Sequence, residues 1–201
     1  MFVLPVDAEI ELVLAEERHA EEVAALIVRN QRRLARWEPW AEHPATVGAL
    51  RSFIRGCLDG FAAGTQVQTY VRVGGRLVGS CGLRIGSSSR AGEVGYWLDG
   101  EHEGRGIATR AARALIGAAF RERGLVRMEL RTAVDNVRSR ALAERLGFVH
   151  EATQRGAQVF TDRRADMVLY AIQAKDWPKS SLPPVGGGLG WGSIQEEQDE
   201  R

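Results

Sequence analysis

The chain has 201 residues, 44% of them hydrophobic and 26% charged, and its 27 basic residues nearly cancel its 26 acidic ones, leaving a net charge of +1. That length accommodates one sizeable core, and ordinary apolar content with little net charge excludes wholesale disorder. The missing basic excess excludes a protein that holds nucleic acid by bulk electrostatics. Cys57 and Cys81 form no C-x-x-C pair and have no histidine at ligand spacing. Neither a zinc site nor a disulfide framework is expected, and both read as buried thiols of a reducing compartment. No run approaches the roughly 20 apolar residues of a membrane span, and the N-terminus lacks the basic region of a signal peptide. A soluble, cytoplasmic protein is expected.

In chain order, residues 10–14 (IELVL) predict a short strand. Residues 18–30 predict a helix, with Ala20, Val23, Ala24, Ile27 and Val28 at helical spacing and Glu17, Glu21 and Glu22 near its positive end. Residues 36–46 (RWEPWAEHPAT) read as a loop carrying two tryptophans and two prolines. Thr46 then caps a second helix reaching about Phe61. Three strand signals follow at 66–73, 76–85 and 92–98, with Gly74-Gly75 as a two-residue hairpin turn between the first two. Residues 105–123 predict a long helix with a stripe of alanine, leucine and isoleucine, stopped by Gly124. A strand at 126–134, a helix at 136–146, and strands at 148–153 and 164–172 complete the pattern. From Pro178 the composition turns rich in Pro, Gly and Ser and ends in acids. A single domain over 1–177 with a disordered tail over 178–201 is expected. The order β-α-α, antiparallel meander, α-β-α-β-β predicts a mixed α+β sheet flanked by helices.

Chemistry concentrates where the third strand of the meander ends and a glycine-rich turn, Glu103-Gly104-Arg105-Gly106, opens the long helix. The first N–H groups of a helix lack intrahelical partners and carry partial positive charge. Gly104 and Gly106 let that backbone approach phosphate oxygens, and Arg105 and Arg110 can add charge. Three readings compete at this point. A Rossmann fingerprint wants a small residue where Thr109 stands, and a P-loop needs a Gly-Lys-Ser/Thr ending. The third is a plain structural turn.

The run E-x-G-Y-W-L (93–98), then x-G-R-G-I-A-T-x-A (103–111), then D-N-x-x-S-x-x-L-A-E-x-L-G-F (135–148) resembles the GNAT acetyltransferase superfamily. More narrowly it resembles the RimJ/RimL type, which includes ribosomal-protein N-terminal acetyltransferases. The likeness extends over residues 8–177, with L-x-x-W-x-P-W (34–40) and D-x-V-L-Y (166–170) as further points of match. The superfamily pattern Q/R-x-x-G-x-G/A falls on Glu103 to Ala108 and departs only at Glu103. A carboxylate beside a diphosphate is repulsive, so Glu103 is expected to face solvent or to pair with Arg105. The resemblance implies a mostly antiparallel twisted sheet with one splayed strand pair. It also implies acetyl-CoA as cofactor and no metal. The diphosphate would lie on the amides of Arg105, Gly106, Ile107, Ala108 and Thr109, above Gly104, and the pantetheine arm along Trp97 and Leu98. A backbone N–H near Leu98 is the simplest donor to the thioester oxygen.

Four side-chain assignments carry an ordinary reading beside the functional one. Glu93 is the candidate base or water-orienting group, or an arginine-paired strand carboxylate; Asp162 and Asp166 are weaker candidates. Asn136 and Ser139 have helix capping as their ordinary reading, with Asp135 or Asn136 as the N-cap of the last full helix and Ser139 in its first turn; the resemblance adds contact of Asn136 with the pantetheine arm and reprotonation of the leaving thiolate by Ser139. Tyr96 reads as packing, with proton donation as its alternative. Trp37 and Trp40 are expected to wall the acceptor pocket, or to pack on the core. The scattered histidines assign no metal. An α-amine with a pKa of about 8 needs less help to deprotonate than a lysine at about 10.4. The expected activity is therefore acetyl transfer to a protein or peptide N-terminus. A small amine acceptor, or non-catalytic acetyl-CoA binding, are the alternatives, and a homodimer is implied by analogy.

Overall fold

The computed structural model describes residues 2–86 and 89–178; the expected tail lies outside them except for Pro178. One eight-stranded sheet organises the chain, in the order β1-β2-β3-β4-β5-β6-β8-β7. The strands are β1 (Val3–Pro5), β2 (Ile10–Leu14), β3 (Gln66–Val73), β4 (Arg76–Ile85), β5 (Ala91–Leu98), β6 (Arg127–Ala133), β7 (Val149–Val159) and β8 (Arg164–Gln173). Every neighbouring pair is antiparallel except β5 and β6. The expected mixed α+β architecture and meander are what the chain forms. Gly74 and Gly75 both adopt positive φ, +55° and +82°, as a two-residue turn between twisted strands requires.

Helices cover both faces. On one face α1 (Ala20–Leu34) and α2 (Val47–Ala62) pack Val23, Ile27, Leu34 and Ile54 against Val13, Tyr70 and Leu77. On the other, α3 (Ile107–Glu122) and α4 (Val137–Arg145) close a larger core with Leu12, Val71, Leu83, Met128 and Leu130. The stripe of α3 is mostly alanine, with Ala111, Ala112, Ala118 and Ala119 fully buried. Small side chains bring that helix close to the sheet, and each fully buried Leu or Ile beside them contributes about 2 kcal/mol.

Several boundaries differ from expectation, for local reasons. Strand β1 was not expected, because three residues ending in proline carry little signal; at a sheet edge the missing N–H is harmless. Helix α1 runs four residues past Asn30, since its last turn is held by packing of Leu34 rather than by pattern. The strand expected at 148–153 continues to Val159 through bulges in its pairing with β8, where glutamines and a glycine hide the alternation. The turn residues Arg105 and Gly106 stand outside α3, and Gly106 (φ +71°) is its N-cap.

Candidate active site

The site begins with a failure of pairing. Strands β5 and β6 are hydrogen-bonded neighbours only at Ala91/Arg127, Gly92/Met128 and Glu93/Glu129. Beyond that point Val94–Leu98 keeps its β4 partner, while β6 continues beside β8. The two strands diverge and leave a V-shaped cleft of about 1490 Å³. The backbone edge of Val94–Leu98 that faces it has no strand partner among the described residues, and such an edge pairs readily with an extended amide-bearing arm.

At the wide end, Gly104 and Gly106 hold φ of +76° and +71°, and nothing lies within 4 Å of where a Cβ would stand on either. Positive φ demands glycine there, and the open space exposes the first N–H groups of α3 to the cleft. Leu98, Ile107, Ala108 and Thr109 line the same region. Arg105 does not; it is exposed. Nor is Arg110 free for a phosphate, because Asp7 and Glu9 hold it at 2.7 and 3.4 Å.

Glu103 corrects an expectation. It neither faces solvent nor pairs with Arg105, but is held between Arg33 of α1 and Arg138 of α4. The cause is α1, whose Arg29, Asn30 and Arg33 fasten the turn. Asn30 donates to Asp99 (2.8 Å) and accepts from the Gly100 amide (3.0 Å), and Arg33 donates to the Leu98 carbonyl. Burial opposes ionisation of Asp99, but hydrogen bonds from Asn30 and Arg29 and the charges of Arg29 and His102 outweigh it and hold the carboxyl below its ordinary range. The sequence reading missed this clamp. In the sequence its three residues are indistinguishable from the polar run Arg29–Arg33 at the end of α1.

Asn136 and Ser139 meet where expected. The Asn136 carbonyl caps α4 by accepting from the Ser139 amide at 3.2 Å, and both line the cleft. Tyr96 does more than pack: its hydroxyl lies 2.9 Å from Ser139 Oγ. Burial pushes the Tyr96 phenol up to about 12 despite the Ser139 bond, so it keeps its proton at any physiological pH. Successive strand residues face opposite ways. Tyr96 therefore meets α4, while Trp97 turns to the α1–α2 face, with its ring 6.4 Å from that of Trp40.

Glu93 lies at the apex of the V, ion-paired with Arg84 at 3.0 Å and approached by Arg131 at 3.8 Å. Asp166 is taken up by the Gly156 amide, and Asp162 sits beside Arg163; neither lines the cleft. Trp37 lines it directly; Trp40 reaches it through Trp97. The loop that carries both tryptophans is fastened to the β7–β8 hairpin. There Glu42 accepts from the Thr161 amide (3.0 Å) and hydroxyl (2.8 Å), and Arg163 donates to the Arg36 carbonyl (2.6 Å). Among the described residues no cluster of metal-binding side chains occurs, and no helix is long and apolar enough to cross a membrane. Cys57 and Cys81 are buried and unbridged.

A half-unzipped sheet with an anion cradle at its mouth and a proton-bearing pair at its side describes a group-transfer protein whose donor has a long phosphate-bearing arm. Residues 9–149 match the family described as Acetyltransferase (GNAT) domain, and the chain belongs to that family. It is 35% identical to YdaF of Bacillus subtilis (strain 168), whose name assigns it provisionally as a ribosomal N-acetyltransferase, over 88% of this chain and 98% of that one. Its fold is similar to that of RimL, a ribosomal L7/L12 α-N-protein acetyltransferase in complex with coenzyme A (25% identity, TM-score 0.81, 85% and 97% of the two chains). It is also similar to the microcin C7 self-immunity acetyltransferase MccE bound to acetyl-CoA and AMP (25% identity, TM-score 0.79, 84% and 94%).

Proposed function

We propose that this acetyl-CoA-dependent N-acetyltransferase acts in the cytoplasm on the N-terminal α-amine of a protein or peptide. The observation that carries the acceptor class is the charge of the cleft's inner half. The cations Arg36, Arg84 and Arg131 there outnumber Glu38 and Glu93, so it lacks the net acidic excess that would collect a polycationic small molecule. Relatives named for ribosomal-protein acetylation support the same class.

Acetyl-CoA supplies the acyl group as a thioester. The turn amides from Arg105 to Thr109 would receive its diphosphate, and the free edge of β5 at Trp97 and Leu98, with Asn136, its pantetheine arm. In this reading a β5 amide near Leu98 donates to the thioester oxygen as charge grows on it. Glu93, fixed by two arginines, orients the water that takes the amine proton. Ser139 would give its proton to the departing sulfur and be resupplied by Tyr96, which keeps its proton until then and recovers one from solvent afterwards.

The test is release of CoA thiol with peptides bearing free N-termini, the same peptides blocked but carrying lysine, and polyamines and aminoglycosides. Release with free N-termini alone is expected, and release with small amines alone overturns the acceptor assignment. Residues 1–177 are proposed as the catalytic unit, so truncation after Pro178 should leave turnover unchanged. The homodimer, proposed by analogy, is tested by sedimentation.

A further inference from the structure

Four carboxylates line the cleft: two are neutralised within the protein, and a third, Asp135, is solvent-exposed just before α4. Glu93 is paired with Arg84 and Arg131, and Glu103 with Arg33 and Arg138. Glu38 is different. It lines the cleft, yet among the described residues no cation stands within ion-pair distance of it. It is the N-cap residue of the 3-10 turn Pro39–Glu42, but its side chain does not bond that turn's amides. Its Oε2 instead accepts from the Trp40 indole N–H at 2.9 Å, and Trp40 in turn packs on Trp97.

The surroundings point to what such a carboxylate can receive. Arg36, the nearest cation in sequence, has its guanidinium over the Trp37 ring at 4.7 Å. Arg84 on β4 is already bound to Glu93. From β5, Glu93 lines the cleft on the Trp97 side of the sheet and Tyr96 on the α4 side, and Arg131 reaches it from β6, while β7 and β8 contribute only Gln154, Ala157, Gln158 and Met167. An unmatched anion that accepts from one indole N–H and has tryptophans on either side in the chain suits a primary ammonium, through charge-assisted hydrogen bonding and ring-face attraction. Burial lifts the Glu38 carboxyl above its ordinary range, with the Trp40 bond and the Arg84 charge offsetting part of the rise, which fits a group lacking its counter-charge until a ligand arrives.

We propose that Glu38 is the docking group for the acceptor's ammonium, set between Trp37 and the Trp40–Trp97 pair. The assignment rests on the acetyltransferase reading but names a residue that reading does not require.

Its test is calorimetric binding to the protein–CoA complex of a short peptide with a free N-terminus, its N-acetylated twin, and spermidine. Binding of CoA itself to wild type and variants serves as the check on folding. Glu38→Gln should weaken the free peptide about tenfold or more, the loss of one charge-assisted bond. It should leave CoA and the acetylated twin unchanged, and Glu38→Asp should recover part of the loss. Equal binding of the free peptide to wild type and Glu38→Gln overturns the assignment, as does failure of every amine to bind wild type. Glu38 dependence for spermidine alone upholds the docking group and overturns the peptide acceptor instead.

Discussion

The two halves of the cleft are built by different means. The half proposed for the donor, from the end of β5 through the Gly104–Gly106 turn to α3 and α4, presents mainly backbone: free strand edge, turn amides, a helix start. The acceptor half presents side chains brought from far apart, with the tryptophan loop fastened by Glu42 and Arg163 to a hairpin more than a hundred residues later. Backbone geometry can be fixed by a few glycines and caps, and it tolerates exchange of most side chains around it. A wall made of side chains changes with each substitution. One scaffold can therefore keep its donor while its acceptor varies, as the likeness of this chain to both RimL and MccE illustrates.

If the donor half works as described, chemistry and binding there should separate. Ser139→Ala removes the proton source but not the backbone cradle. Turnover should fall roughly 100-fold with the Kd of acetyl-CoA nearly unchanged, measured by stopped-flow thiol release and calorimetry. Tyr96→Phe should do less, because water can resupply Ser139. Unaltered turnover in Ser139→Ala removes the serine from the mechanism. Gly106→Ala is the converse. A Cβ meets nothing in the folded chain, but φ of +71° costs an alanine about 1–2 kcal/mol. The turn escapes by turning its amides, and acetyl-CoA affinity should fall about tenfold with little change in melting temperature.

The same division decides what could be read from the sequence. Glycines at positive φ, the Asn136 cap, the Gly74-Gly75 turn and the helix stripes are relations among residues two to four apart, and all were legible. Glu93 and Ser139 were legible as residues, though not their partners. The Tyr96–Ser139 bond spans 43 positions, Arg33–Glu103 spans 70 and Glu42–Thr161 spans 119. No periodicity records such pairings, because they exist only once the sheet has brought its elements together. Glu38 was within reach: it stands between two tryptophans already singled out.

The acceptor half should respond to loss of its fastening without disturbing the donor. Glu42→Ala deletes the acceptor of both Thr161 bonds, at an exposed site where each contributes about 1 kcal/mol or less. The loop and hairpin should part more readily, raising the acceptor KM roughly fivefold while the Kd of acetyl-CoA stays constant. A change in the Kd of acetyl-CoA would instead tie the two halves together mechanically. Increased hydrogen exchange at Thr161 and in residues 36–43 would locate the effect.

Glu103 is where the donor half departs from backbone logic, and the effect expected there is the smallest. A carboxylate beside the start of α3 repels the diphosphate that the cradle should attract, but Arg33 and Arg138 neutralise it. Glu103→Gln removes the repulsion and releases both arginines toward the ligand. Acetyl-CoA should bind about twofold to fivefold more tightly, in line with the modest worth of charges at helix ends, and the gain should shrink as salt rises. Weaker binding in the variant would reverse the reading: Glu103 would then serve to hold Arg33 against the Leu98 carbonyl, and the end of β5 would owe its position to that side chain as much as to its own strand.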